Sequence, residues 1–362
     1  MLKDAVPLGG LARALVVKLR HHGDVLLATP VFSALEAHAP RIEIDALVYD
    51  DTAPMLAGHP AVAEIHVVGR NWRDEGILSR LVAERRLFGA LRARRYDLIV
   101  HLSEHPRGAW LARLLGARFS VAPAMPERGA FWRGSFTHLY PRPRNGRRHQ
   151  VELNLDALRR IGLQPLESER KVLFAPGEEA EARAAALLAE HGLPERGFVH
   201  MHPASRWQFK CWPAESSAEL ADRLAAAGHR VVLTAAPEKR ELSLVEEIVR
   251  RAKRRPLDLA GKLSLKELGA LAARARIFIG VDSMPMHLAA AMGTPAVALF
   301  GPSGELEWGP WRVAQRVVAS ERHPCRPCGQ DGCGGGKVSE CLTTLPVENV
   351  LAAVEQLLAL PR

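Results

Sequence analysis

Residues 276–303, RIFIGVDSMPMHLAAAMGTPAVALFGPS, decide the fold class. Ile277–Val281 is apolar throughout and reads as a strand buried on both faces. Asp282 and Ser283 break it. A helix follows, starting near Ser283–Met286 and running through Met292. Gly293, Thr294 and Pro295 then turn the chain into a second apolar strand ending at Phe300. A strand, a short helix and another strand joined this tightly form a parallel crossover, and parallel sheets are covered by helices on both faces.

The same alternation extends outward in both directions. GFVHMHP, RVVLTAA, LDLAG and PAVALFG read as strands of the second half; ALVVKL, IEIDALVY, EIHVV, DLIVHL and FSVAPA read as strands of the first. Helical stretches such as ILSRLVAERRLFGALRARR and SSAELADRLAAAGH lie between them. The pattern predicts an α/β protein with two Rossmann-like, doubly wound domains. At 362 residues the chain is long enough for two cores. The boundary is expected between Phe174 and Glu178. That gives an N-terminal domain over 1–175, a C-terminal domain over 176–345, and an amphipathic helix over 346–362 with Pro346 at its start.

The composition is that of an ordinary globular chain, 48% hydrophobic and 25% charged. No run of apolar residues is long enough for a membrane span. The N-terminus lacks a basic stretch followed by an apolar core, so a cytoplasmic location is expected. The net charge of +9 is lopsided: 22 basic against 14 acidic residues over 1–150, and 27 against 26 in the remainder. A basic half suits nucleic acid, anionic lipid or an acidic small molecule. No recognised RNA or DNA motif accompanies it, which argues against nucleic acid.

The polar breaks at strand ends carry the chemistry. Ligands of doubly wound folds bind outside the carboxyl ends of the strands. In the opening stretch, Ser283 and His287 stand at a helix N-terminus, whose unpaired N–H groups attract anions. Asp282 repels an anion but suits sugar hydroxyls. A simple helix cap would explain Asp282 or Ser283 taken singly. In HPASRWQFKCWP, Ser205 and Lys210 occupy a loop after a strand, where the lysine reaches a phosphate as a point charge. After RVVLTAA come Glu238 and Glu241, placed to bind a ribose diol or merely to favour a helix N-terminus. Neither G-x-G-x-x-G nor G-x-x-x-x-G-K-[ST] occurs, which excludes the usual dehydrogenase and ATPase phosphate loops. The second domain therefore reads as a nucleotide-diphosphate binder. In the first, KLRHHGDVLLATPVFSAL places a solitary carboxylate, Asp24, just past the first strand. A diphosphate leaving group departs without an acid when positive charge receives it. The accepting hydroxyl needs a base, and one carboxylate suffices for an inverting single displacement.

These stretches resemble the ADP-heptose:lipopolysaccharide heptosyltransferases, glycosyltransferase family 9, and most closely the heptosyltransferase III type. KLRHHGD is similar to the opening of that family, FIGVDSMPMHLAAAMGTPAVALFGPS to its nucleotide-side signature, and HPASRWQFKCWP to its lysine loop. The resemblance implies a GT-B fold with the active site between two domains and a C-terminal helix packing back toward the first. It implies metal-independent, inverting transfer of L-glycero-D-manno-heptose from ADP-heptose, with no further cofactor. Carried onto this chain, it makes Asp24 the base. Ser205, Lys210, Ser283 and His287 bind the diphosphate, Asp282 the heptose, and Glu238 or Glu241 the ribose. Many members carry glycine where this chain has Met284, beside the phosphate-binding turn.

The implied acceptor is the phosphate- and carboxylate-rich lipopolysaccharide inner core, at the cytoplasmic face of the inner membrane. Lys18, Arg20, His21, His22 and the arginines over 142–148 are the expected acceptor contacts. Two other readings are a family 9 transferase with a different nucleotide sugar, and a sugar-nucleotide epimerase of the same architecture. Cys325, Cys328, Cys333 and Cys341 fall in one short loop. They lack the paired C-x2-C arrangement of common zinc sites, and no metal ligands are assigned.

Overall fold

The structure, a computed structural model, describes residues 4–71, 76–143 and 146–361. The chain divides into two compact units, Met1–Ala175 and Pro176–Arg362.

The first unit runs β1 (Arg13–Val17), α1 (His22–Leu26), α2 (Thr29–His38), β2 (Glu43–Tyr49), β3 (Glu64–Val68), α3 (Ile77–Arg94), β4 (Leu98–His101), α4 (Arg107–Leu114), β5 (Phe119–Pro123), α5 (Gly129–Arg133), β6 (His138–Tyr140) and α6 (Gln150–Arg160). Its six strands are parallel, in the order β3-β2-β1-β4-β5-β6. Ala14, Leu15, Val16 and Val17 of the central strand are fully buried, as helices on both faces require. The order reverses between β1 and β4. In register Val17 faces His101, so Lys18 and Leu102 leave the sheet side by side. Helix α4 sits close on β4 because Gly108 carries no side chain; a Cβ there would stand 2.2 Å from the His101 ring.

The second unit runs α7 (Glu178–Glu190), β7 (Phe198–His202), α8 (Ala214–Ala226), β8 (Arg230–Leu233), α9 (Lys239–Arg251), β9 (Leu257–Asp258), α10 (Leu265–Ala273), β10 (Ile277–Val281), α11 (Met284–Ala291), β11 (Ala296–Phe300), α12 (Glu305–Trp308), β12 (Gln315–Ala319), α13 (Glu340–Thr343) and α14 (Val347–Leu358). Its parallel sheet has the order β12-β11-β10-β7-β8-β9, the same winding as the first with the reversal between β7 and β10. Helix α10 starts on a capping box: Ser264 Oγ accepts the Glu267 N–H while the Glu267 carboxylate accepts the Ser264 N–H.

Both sheets are of the Rossmann kind expected for a GT-B fold. The sequence reading set 346–362 apart as a helix reaching back toward the first domain. Helix α14 lies within the second unit, where it packs on α8 and on β10, β11 and β12. Val347, Val350, Val354 and Leu357 recur at helical spacing and are spent on that core.

Candidate active site

In the first unit the site is built at the carboxyl edge of β1 and β4. Asp24 lies in the first turn of α1 and is 8% exposed. Among the described residues its buried Oδ1 has no hydrogen-bond partner, and the Arg20 Nε stands 3.7 Å away, an ion pair too long for a hydrogen bond. A buried carboxylate oxygen left without a hydrogen bond is costly, and a substrate hydroxyl would supply one. His21 precedes α1 at its N-cap and is exposed, His22 is half-buried, and Arg20 is exposed.

Lys18 corrects the sequence reading. Expected to meet the acceptor, it is 2% exposed. Its Nζ donates to the Leu102 carbonyl at 3.1 Å and to Asn154 Oδ1 at 3.0 Å. Burial lowers the ammonium to about pKa 7, against the attraction of Asp24, which pulls it up. Asn154 Nδ2 in turn donates 2.9 Å to the carbonyl of Leu27, at the end of α1, and Gln150 Nε2 donates to Asn154 Oδ1. The helix bearing Asp24 is thus tied to the central strands through one amide. The signal for it was present: Gln150 and Asn154 are two amides four residues apart on the otherwise apolar face of α6. Arg70 was also missed. It donates to the Arg20 carbonyl at 3.0 Å, pairs with Asp51 at 2.7 Å and lies 4.1 Å over the Tyr49 ring. Of the loop arginines, Arg142 pairs with Glu104 at 3.3 Å and Arg148 with Asp156 at 2.6 Å; Arg144 lies outside the described residues.

In the second unit the strand-end loops of β7 and β10 meet. Lys210 Nζ and Asp282 Oδ2 form an ion pair at 2.6 Å, with Asp282 5% exposed. Sequence analysis assigns the two residues separate ligands; in the structure they are each other's partner. Ser205 is buried and its Oγ accepts the Trp207 N–H at 3.2 Å. Ser283 occupies the N-cap of α11 without capping it, its hydroxyl directed back to the Val281 carbonyl at 3.3 Å. The serine side chain thus caps no N–H of α11; Pro285 has none to offer, and the Met286 N–H donates to the Ser283 carbonyl at 3.2 Å. Met284 begins the helix half-buried, and His287 is buried 6.4 Å from the Trp308 ring.

Glu238 and Glu241 differ sharply. Glu238 is an exposed N-cap of α9. Glu241 is buried and accepts the Ala236 N–H at 3.0 Å; burial pushes its carboxyl up. Its Oε2 stands 3.8 Å from His202 Nε2. His202 Nδ1 and His200 Nε2 share the Thr234 hydroxyl at 2.9 and 2.8 Å. Burial lowers both imidazoles to about 3, so both are neutral near pH 7. The hydroxyl has one proton, donating to one ring and accepting from the other.

The cysteine loop braces two strand-end loops of the second unit. Ser339 Oγ donates to the carbonyl of Phe209, next to Lys210, at 2.6 Å, and Arg326 Nε donates to the Gly301 carbonyl at 2.7 Å. All five cysteines are free thiols. Among the described residues the three-membered group close enough to share an ion is Asp45, Glu64 and His66. There Arg94 already grips Asp45 through two hydrogen bonds, of 2.7 and 3.0 Å.

Residues 84–338 match glycosyltransferase family 9 (heptosyltransferase). The chain belongs to this family. The enzyme is accordingly a glycosyltransferase. It is 36% identical over 344 residues to lipopolysaccharide heptosyltransferase 3 of Escherichia coli, covering 94% of this chain and 97% of that one. Among solved structures, a glycosyl transferase family 9 protein of Veillonella parvula superposes with a TM-score of 0.84 at 24% identity, covering 98% and 99% of the two chains. E. coli heptosyltransferase WaaC with ADP superposes at 0.72 and 21%, covering 95% and 99%. These structures speak for the fold. Among the described residues no helix is long and apolar enough to cross a membrane.

Proposed function

We propose that the enzyme transfers L-glycero-D-manno-heptose from ADP-heptose to a hydroxyl of a lipopolysaccharide core acceptor, inverting the anomeric carbon. Membership of the heptosyltransferase family and the likeness to lipopolysaccharide heptosyltransferase 3 support the substrate class. The observation that carries the mechanism is Asp24: a buried carboxylate with an unpartnered oxygen at the end of a central strand.

In this reading the acceptor hydroxyl gives its proton to Asp24 Oδ1 as its oxygen attacks the anomeric carbon. The bond from that carbon to the diphosphate breaks, and its electron pair leaves with ADP. Lys210 and the positive end of the α11 dipole receive the growing charge. Lys210 exchanges Asp282 for the diphosphate when the donor arrives, which frees Asp282 to accept hydrogen bonds from heptose hydroxyls. Ser205, Ser283 and His287 line the diphosphate side, and Met284 flanks it. Glu241 or the exposed Glu238 takes the ribose diol. Arg20, His21, His22 and Arg142 face the anionic acceptor, which sits at the cytoplasmic face of the inner membrane. Lys18 holds the base in place from beneath.

The test is Asp24→Asn, with donor binding by calorimetry and turnover by mass spectrometry of a truncated core acceptor. Donor affinity stays within a few-fold and kcat falls by about two to four orders of magnitude, the scale of base removal. A kcat within about tenfold of the parent enzyme removes Asp24 from that role.

A further inference from the structure

Among the described residues nothing covers the apolar side chains at the start of α3. The second half of α3 packs on the sheet through Leu87, Phe88 and Leu91. Its first turns do not: Ile77 and Leu78 are each 79% exposed, Leu81 60% and Val82 49%. Scattered exposed apolar residues are ordinary, but a contiguous group at a helix end marks a contact surface. At about 100° per residue, Leu78, Leu81 and Val82 share one face of α3, and Arg85 follows on that face with Arg86 beside it. Arg85 and Arg86 are exposed. At about 1.5 Å per residue they stand one to two turns behind the apolar tip.

The tip has a defined place. Helix α3 follows β3, so it begins at the carboxyl edge of the first sheet, the edge that bears Asp24. Arg107, at the start of α4, forks onto Glu84 of α3 with two 2.5 Å hydrogen bonds and fixes the two helices together. Helix α4 adds exposed Trp110, whose ring lies 4.7 Å from that of the exposed Phe131. Arg113 lies 4.7 Å over the other ring of that pair.

We propose that the start of α3 is a membrane-docking tip: Ile77, Leu78, Leu81 and Val82 enter the acyl boundary of an anionic bilayer, and Arg85 and Arg86 bind its phosphates. The arrangement matches the layering of a bilayer interface, with apolar residues deepest and a cationic collar one headgroup layer above. Arg80 is exposed at the level of the apolar residues but lies about 200° round the helix from Leu78. A protein partner fits less well because the four exposed apolar side chains are aliphatic, where protein interfaces bury aromatic anchors in pockets. The excess of positive charge in residues 1–150 favours the same partner. The proposal deepens the heptosyltransferase reading, which supplies the lipid-borne acceptor; vesicle binding itself does not depend on that reading.

The test is co-sedimentation of the full chain with vesicles of phosphatidylcholine alone or of phosphatidylcholine and phosphatidylglycerol in equal parts. The parent enzyme sediments with the mixed vesicles at low salt and with neither at high salt. Leu78→Glu/Leu81→Glu and Arg85→Glu/Arg86→Glu each weaken binding at least about tenfold, with circular dichroism melts unchanged. Transfer to a deacylated, water-soluble acceptor is unaffected in both variants, while transfer to vesicle-borne acceptor falls. Equal sedimentation of parent and variants overturns the proposal. So does a parent dimer that Leu78→Glu/Leu81→Glu splits in size-exclusion chromatography. If no heptose is transferred in solution yet vesicle binding behaves as described, the functional reading fails and the docking tip stands.

Discussion

Replacing Lys18 by methionine tests the energetics of the buried ammonium at the seam of β1 and β4. The ammonium is fully buried, and burial brings it from 10.5 to about 7. At about 1.36 kcal/mol for each tenfold change in proton affinity, burying the charged form costs roughly 5 kcal/mol. Below about pH 7 the lysine is charged in both folded and unfolded chains and the cost is fully present. Between about pH 7 and 10.5 the unfolded chain holds more protons, so the stability of the parent rises with pH. The cost is about 4 kcal/mol at pH 7 and about 1.5 kcal/mol at pH 9.5. Methionine removes it but forfeits the hydrogen bonds to the Leu102 carbonyl and Asn154 Oδ1, together worth roughly 2 to 3 kcal/mol. Lys18→Met is therefore more stable than the parent by about 1 to 2 kcal/mol at pH 7 and less stable by about 1 kcal/mol at pH 9.5. Urea unfolding of both proteins across this range, followed by circular dichroism, gives the difference directly; groups common to both cancel. A stability difference that stays flat with pH refutes the reasoning, because it means that Lys18 titrates alike in the folded and unfolded chains.

Lys210→Ala weakens ADP binding by about tenfold to a hundredfold, the value of one charge-assisted hydrogen bond. It also lowers the melting temperature, because Asp282 is left buried and unpaired. Adding Asp282→Ala restores the melting temperature without restoring affinity, and an unchanged ADP dissociation constant for Lys210→Ala takes this lysine out of the donor cradle. Acid weakens the whole chain through its buried histidines. His101, His200 and His202 are each held near 3 by burial, so below about pH 6.5 the unfolded chain takes up protons that the folded one refuses. Stability falls by about 1 kcal/mol per histidine between pH 7 and 5.5, roughly 3 kcal/mol in all. Urea midpoints that do not move over this interval contradict the neutral, buried state of these rings.

The sequence disclosed most of the strands because buried parallel strands are nearly continuous apolar runs. It missed β6, only three residues long, and β12, whose Arg316 and Val317 are exposed. Two-residue β9 is all that LDLAG forms. Asp24, Lys210 and Asp282 were legible as strand-end polar residues. Their partners were not, since Lys210 and Asp282 are 72 positions apart and Lys18 and Asn154 are 136 apart. Only strand order brings such pairs together. Lys18 was misread because sequence carries no sign of depth: a lysine after a strand projects outward or turns inward according to what the neighbouring strand presents.

The two halves repeat one device. In each, a lysine that follows the first strand reaches across the seam where strand order turns, Lys18 to Leu102 and Lys210 to Asp282. Neither bridge borrows a group from the other half. A chimera recut between Ala175 and Pro176, joining this second half to the first half of a relative, would carry the Lys210–Asp282 bridge over whole. Each half can therefore be exchanged or varied on its own without cutting the bridge that braces the other.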